Sequence, residues 1–376
     1  MTTGRRIGVN LTWCRPGRVG GSEEYLARQL MGLSAAAPSE FDVTIFAPSG
    51  FAEAHRELAN RYPIDETRSD GSSRARRIVN ESTWLRRRTA GSALVHHGGG
   101  TLPVAYRSPT LLTIHDLQYR QFPQYFGGAR LAYLRSVMPR SARNATAIAV
   151  PTNFVRDTVC DAYDIDGTKV HVVPHGVPSD LGSHRTPESD VRAKHRLGDA
   201  PFVVLPAMTH PHKGHRFLLD VFERFGEALG VRLVLIGGAG SIDEEVGRRA
   251  DRLAGLVSKL GRVSDSDRDG LIAAAAAVVF PSEYEGFGAP LIEAMALGTP
   301  VISSDRACLP EVVGSAGIVA PLDVDSWREA IGDVDRRRAE LVTAGRNRVR
   351  DFTVEVSGSA LATAYRSLLD VDGVGS

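Results

Sequence analysis

The 376-residue chain has few cysteines and almost no net charge. Cys14, Cys160 and Cys308 are odd in number and far apart. That excludes a disulfide framework and fits a reducing, cytoplasmic compartment. Forty-five Lys and Arg face 44 Asp and Glu, a net charge of +1, so composition carries no global signal for nucleic acid. Long hydrophobic runs are missing too. The longest, Leu271 to Phe280, is too short to cross a bilayer. An N-terminal apolar run of about eight residues is broken by Asn10 and reads as a strand, not a signal peptide.

What is present suits two domains. The hydrophobic fraction is 43% and the charged fraction 24%, enough for each half to bury a core. Strand and helix patterns alternate twice over, which predicts an α/β chain with parallel sheets. Arg5 to Trp13 reads as a buried strand, followed by the turn Gly17 to Gly21 and a helix capped by Ser22. Strand, glycine-rich turn and helix open many nucleotide-binding folds, although a tight turn alone would look the same. Ser92 to His97 and Pro109 to Ile114 are further strands, the second ending in His115-Asp116. Beyond the carboxyl end of a parallel strand is where ligands sit.

One stretch carries the most chemistry. Phe280 to Ile302 predicts a strand ending at Phe280, a loop with Gly286 and Gly288, and a helix from Pro290 to Leu297 stopped by Gly298. Glu285 lies in the loop and Glu293 on the helix. Eight helical residues would separate them by roughly 12 Å. That span suits two hydroxyl clusters on one long ligand. The free amides of the helix start, which attract phosphate, lie between them. Two solvated glutamates on an ordinary strand–loop–helix remain the alternative.

This Glu-x7-Glu stretch resembles the signature of retaining glycosyltransferases of family four, which have the GT-B fold. The resemblance implies two Rossmann-like domains facing each other across a cleft, with a C-terminal helix crossing back to the first. The expected boundaries are 1–178, joined by the helix 353–376, for the acceptor-side domain and 179–352 for the donor domain. By resemblance Glu293 holds the nucleotide ribose and Glu285 lies beside the donor sugar. The backbone of Gly286, Phe287 and Gly288 faces the diphosphate and sugar. Gly20-Gly21-Ser22-Glu23 resembles the loop that lines the diphosphate from the first domain, which implicates Gly20 and Gly21. Thr-Ile-His-Asp-Leu resembles the segment whose histidine, here His115, contacts the donor sugar. Gly237 resembles the glycines near the nucleotide, and the backbone at Arg262 and Val263 the part that reads the base.

Lys213-Gly214 matches the family's diphosphate clamp, but Ala207 stands where the family usually has Arg. Either His210 or His212 substitutes for that charge, or Lys213 and helix-end amides carry it. Histidines 210, 212 and 215 also suggest a metal, although Pro211 and Lys213 among them suit an anion better. The family implies no metal or other cofactor, so the expected catalytic set is His115, Lys213 and Glu285.

The segment Gln121 to Phe126 and the helix after it resemble the mannosyltransferase-like branch. That makes GDP-mannose the first candidate donor, with a glycan, glycolipid or small molecule as acceptor. Tyr119, Phe122, Tyr125 and Phe126 line an acceptor cleft or pack a core. A nucleotide-sugar epimerase of the same fold, or a catalytically weak nucleotide-sugar-binding protein, is the alternative. Residues 68 to 88 hold seven arginines around Trp84 against Asp70 and Glu81. They form a solvated basic helix or dock on an anionic membrane, the inner face for a cytoplasmic chain. No accompanying motif supports nucleic acid as a partner.

Overall fold

The computed structural model describes residues 5–15, 20–107 and 109–369. Gly17, Arg18 and Val19 of the glycine-rich turn lie outside the described residues, as does the terminus from Asp370. The chain divides into two units, Met1–Gly176 with Thr353–Ser376, and Val177–Phe352.

Unit 1 holds seven parallel strands: β1 (Arg5–Asn10), β2 (Phe41–Pro48), β3 (Ile64–Thr67), β4 (Leu94–His97), β5 (Thr110–Thr113), β6 (Ala147–Val150) and β7 (Val170–Val172). Their order in the sheet is β3-β2-β1-β4-β5-β6-β7. Strands such as β4, β5 and β6 are buried at every position, as strands covered on both faces by helices must be. The order reverses between β1 and β4, so the switch point lies there. Asn10 and His97, the last residues of those strands, are register partners across it.

Unit 2 holds β8 (Phe202–Pro206), β9 (Arg232–Ile236), β10 (Val257–Gly261), β11 (Ala277–Phe280), β12 (Val301–Ser304) and β13 (Ile318–Ala320), all parallel. Their order is β10-β9-β8-β11-β12-β13, with the switch point between β8 and β11.

The C-terminal helix Val354–Leu369 packs on the helix Gly20–Ala36 of unit 1. Two glycines allow this. A Cβ on Gly358 would lie 2.0 Å from the carbonyl carbon of Gly32, and one on Gly32 would lie 1.9 Å from the Val354 oxygen. The two backbones touch there, and Tyr365 and Leu361 of the later helix enter the unit 1 core.

Several boundaries differ from expectation. β1 stops at Asn10, because the chain turns at once: the Cys14 amide donates to the Leu11 carbonyl. Ser22 lies inside its helix, whose first described residue is Gly20. The helix after β13 runs from Val324 to Val349. Its charged later half is a solvated face held by the pairs Arg336–Asp333 and Arg337–Glu340.

Candidate active site

The residues singled out in unit 2 follow the carboxyl ends of β8 to β11. Lys213 follows β8 and Glu285 follows β11, so their loops flank the switch point. Lys213 Nζ donates to Glu285 Oε1 at 2.6 Å, with the side chains 21% and 12% exposed. The loops are locked by backbone contact. Gly214 has φ +75°, and a Cβ there would meet the Pro281 oxygen at 2.3 Å. The Glu283 amide donates to the His212 carbonyl at 2.8 Å. Only glycine at 214 lets the lysine loop lie on the glutamate loop.

The next helix, Ala289–Ala296, starts after Gly288 with Pro290 in its first turn and no side-chain cap. Pro290 has no N–H and the Leu291 amide donates to the Gly288 carbonyl at 3.0 Å, so the first turn is closed on itself. The interval from Glu285 to Glu293 is helical only from Ala289, which corrects the fully helical spacing. The Phe287 ring turns inward against Phe352, with centroids 5.3 Å apart, so the side chain is part of the core. Glu293 is half-buried, and its charge stabilises the mostly buried Arg268 cation against the cost of burial.

Gly237 follows β9 with φ +140°, and a Cβ there would lie 2.3 Å from the Ala207 oxygen. This glycine is thus required by chain packing against the very residue that replaces the family's arginine. Arg262 is exposed and Val263 half-buried beyond β10.

Two further residues were not singled out from the sequence. Ser304 Oγ donates to the Ser282 carbonyl at 2.5 Å, and Cys308 Sγ to the Glu285 carbonyl at 3.2 Å. These two anchors tie the loop after β12 to the Glu285 loop. Arg306 sits between them, next to Ala307, which takes a left-handed φ of +51°. Burial pushes the Glu283 carboxyl up, and the Arg216 and Arg306 cations pull it down. Both arginines also pair with acids of their own, Arg216 with Glu245 at 2.6 Å and Arg306 with Asp305 at 3.1 Å. A lone arginine in a polar loop carries no periodicity or motif, so sequence reasoning had no signal for it.

The histidines behave differently from a cationic substitute. Burial pushes His212 down to about 3, helped by the Lys213 cation, and His215 down to about 4. A neutral His212 cannot replace the arginine's charge, which removes one of the two histidine alternatives. Among the described residues, no group of three His, Cys, Asp or Glu is placed to share a metal ion.

In unit 1, His115 lies just beyond β5. Burial pushes it down to about 4, so it is neutral at pH 7. Its Nε2 donates to the Gly98 carbonyl at 3.0 Å, which leaves the lone pair on Nδ1. Trp13 and Tyr25 flank the ring, and His175 stacks on Tyr25 at 4.1 Å. Gly20 and Gly21 are exposed, and a Cβ on either would meet nothing within 4 Å. Glu23, beside them in sequence, is buried and accepts from His55 Nε2 at 2.8 Å.

The aromatic segment divides. Tyr119 is core, its hydroxyl 2.6 Å from that of Tyr163, whereas Phe122 and Tyr125 stack on each other and Tyr125 is exposed. The basic segment forms a helix Arg74–Asn80, a π-turn Glu81–Leu85 and a last turn Arg86–Arg88. Arg68, Arg74, Arg76, Arg86, Arg87 and Arg88 are exposed. Trp84 packs edge-on against Phe46 instead of facing out, because a ring of that size is held by the adjoining sheet. No helix among the described residues is long and apolar enough to cross a membrane.

Two doubly wound parallel sheets, one with a cation–carboxylate pair at its switch point, match the GT-B class of fold. Family models agree. Residues 19–181 match Glycosyltransferase Family 4 and residues 201–336 match Glycosyl transferases group 1. The chain belongs to this glycosyltransferase family and is an enzyme of that kind.

Similar proteins include O-antigen chain mannosyltransferase B of Escherichia coli, 29% identical over 73% of this chain and 74% of that one. Another is MMP alpha-(1->4)-mannosyltransferase of Mycolicibacterium hassiacum, also 29% identical, over 56% of this chain and 51% of its own length. In three dimensions the chain resembles Anabaena HepE solved in complex with UDP and glucose. The TM-score is 0.74 and the identity 19%, over 97% of this chain and 100% of that one. Sucrose-phosphate synthase from Thermosynechococcus elongatus also scores 0.74, at 20% identity over 98% and 100%.

Proposed function

We propose that the chain transfers mannose, with retention of configuration, from GDP-mannose to a hydroxyl of a glycan, glycolipid or small-molecule acceptor. The Lys213–Glu285 pair at the unit 2 switch point carries this reading. A cation and a carboxylate together at the start of a helix suit a sugar diphosphate, whose negative charge the lysine and the helix dipole favour.

In this reading Lys213 and the amides of Gly286 to Gly288 meet the diphosphate, and Arg306 adds charge from the neighbouring loop. As the glycosidic bond breaks, negative charge grows on the leaving phosphate and Lys213 stabilises it most at that point. Released from Lys213, Glu285 lies by the donor sugar. Glu293 accepts from the ribose hydroxyls, and the backbone around Gly237, Arg262 and Val263 lines the base. His115, neutral, accepts a sugar hydroxyl proton at Nδ1, and Gly20 and Gly21 leave room for the diphosphate. Lys213 supplies the charge that meets the leaving group, so the reading assigns no metal or cofactor. The reaction belongs in the cytoplasm, with the exposed arginines of residues 68–88 resting on the anionic inner face of a membrane.

The mannose assignment rests on the named mannosyltransferase relatives. A thermal-shift panel of GDP-, UDP- and dTDP-sugars tests it. A ligand at 100 times its Kd stabilises the folded chain by about 2.7 kcal/mol. GDP-mannose should raise Tm most. A larger shift with a UDP- or dTDP-sugar refutes the donor, and no shift with any refutes the reading.

A further inference from the structure

Unit 1 holds a second polar cluster that the assigned roles leave unused. It sits at the switch point between β1 and β4, where a doubly wound sheet opens a crevice for a ligand. Asn10 and His97 end those strands side by side. Asn10 Nδ2 donates to His97 Nδ1 at 3.1 Å and to Glu81 Oε1 at 3.3 Å. Asn10 Oδ1 accepts from the Thr12 amide at 3.1 Å, and Thr12 Oγ1 lies 2.7 Å from Asn10 Oδ1 and 2.9 Å from Glu81 Oε1.

Because His97 Nδ1 accepts, its proton resides on Nε2. That Nε2–H is buried and has no partner, and His97 is only 2% exposed. Thr12 has one hydroxyl proton for two acceptors. Among the described residues Glu81 Oε2 makes no hydrogen bond. Arg77 Nε lies 3.9 Å from Glu81 Oε1, too far to bond, and is itself buried without a partner. Two donors, His97 Nε2–H and Arg77 Nε–H, are therefore idle in a buried place, where such groups ordinarily find partners, beside a carboxylate oxygen, Glu81 Oε2, that has no partner among the described residues.

Local backbone supports the assignment. Glu81 opens a π-turn, an irregularity that recurs at functional sites, and the turn carries this acid into the core out of an otherwise basic helix. The backbone after His97 lies against Trp13: a Cβ on Gly99 would meet the Trp13 ring at 2.7 Å. An apolar ring beside idle donors and an acceptor suits a sugar, which offers C–H faces and hydroxyls that both give and take protons.

We propose that Glu81 and His97, set by Asn10 and Thr12, form a subsite that binds adjacent hydroxyls of the acceptor sugar. One hydroxyl donates to Glu81 Oε2, and its neighbour accepts from His97 Nε2. The role as acceptor site rests on the transferase reading; the hydroxyl binding does not. It fixes specificity, because a site built around hydroxyls leaves buried groups unpaired when a hydroxyl is missing.

Saturation-transfer NMR on the full chain without donor tests it, with methyl α-mannoside, α-glucoside and α-galactoside as probes. The wild type should bind at least one. Glu81→Gln should weaken that binding about tenfold or more, as losing a hydrogen bond to a charged group does. His97→Gln should do the same, and serves if the first variant does not fold. The Tm shift caused by GDP should stay unchanged in both. Wild-type binding in both variants, or no glycoside bound by the wild type, would overturn the subsite. Glycoside binding through Glu81 without sugar transfer would refute the transferase reading and leave the subsite standing. Transfer that both variants perform with unchanged acceptor KM would do the reverse.

Discussion

Lys213→Ala probes the site most directly, because the structure predicts two separable effects. The first is on stability. Lys213 and Glu285 are 21% and 12% exposed and 2.6 Å apart. Removing one partner of a fully buried pair costs about 3–5 kcal/mol, since a charge is left unpaired. With this residual exposure the cost should be about 2 kcal/mol. In a unit of this size that lowers Tm by about 4–8 °C. The second effect is on rate. A preorganised group facing a developing oxyanion is worth on the order of 10²–10³ in kcat. Adding Glu285→Gln to Lys213→Ala removes the orphaned charge, so Tm should recover toward wild type while kcat stays low. Differential scanning calorimetry and steady-state release of nucleoside diphosphate read the two arms. A single mutant with wild-type Tm would mean that the pair is not held in solution. A kcat within threefold of wild type would mean that the leaving-group charge is met elsewhere.

Glu293→Ala should raise the donor KM by one to two decades, because a hydrogen bond to a carboxylate contributes roughly 1.5–3 kcal/mol; an unchanged donor affinity would remove it from the ribose site. Acid should unfold unit 1 early. His96 and His97 are pushed down to about 3 and His115 to about 4, all by burial, so the unfolded chain takes up protons first as pH falls below 6.5. Stability present at pH 7 is then lost at about 1.4 kcal/mol per pH unit for each, about 6 kcal/mol for the three by pH 5, and circular dichroism between pH 7 and 4 would detect it. His212 is neutral at these pH values, so His212→Gln should leave the shape of the kcat–pH profile between pH 6 and 8 unaltered. Gly358→Ala should destabilise by about 1–3 kcal/mol despite alanine's better helix propensity, because the new methyl meets the Gly32 backbone; a raised Tm would show that the helices shift freely. Replacing Arg86, Arg87 and Arg88 by Gln should weaken sedimentation with anionic liposomes, most at low salt, and unchanged sedimentation would sink the membrane contact.

Much of the architecture was legible because it is periodic. The apolar runs gave strands such as β4 and β5, which end at or within one residue of the C-terminal bounds read from the sequence. Ser264 and Thr152 cap their helices, as hydroxyl side chains at a helix start do. What failed lacked a local signal. β3, Ile64–Thr67, carries the acids Asp65 and Glu66 at a sheet edge and was not expected as a strand. The helix Asp243–Arg252 has a mostly charged surface and likewise escaped notice.

The motif residues Lys213, Glu285 and Glu293 could be named from spacing and resemblance, because the motif fixes their places along the chain. Their pairing could not. Lys213 meets Glu285 only because β8 and β11, far apart in the chain, are neighbours in the sheet and Gly214 lies on Pro281. Charge states depended on folding in the same way. A histidine beside a lysine reads from sequence as a candidate cation, and burial makes His212 neutral. Glu81 reads as one acid among arginines, and a π-turn brings it to Asn10 and Thr12. The sequence by itself determined which chemical groups were available and which strands would carry them. The tertiary structure decided which groups touch and which hold a proton, because contact and desolvation depend on neighbours that chain order does not reveal.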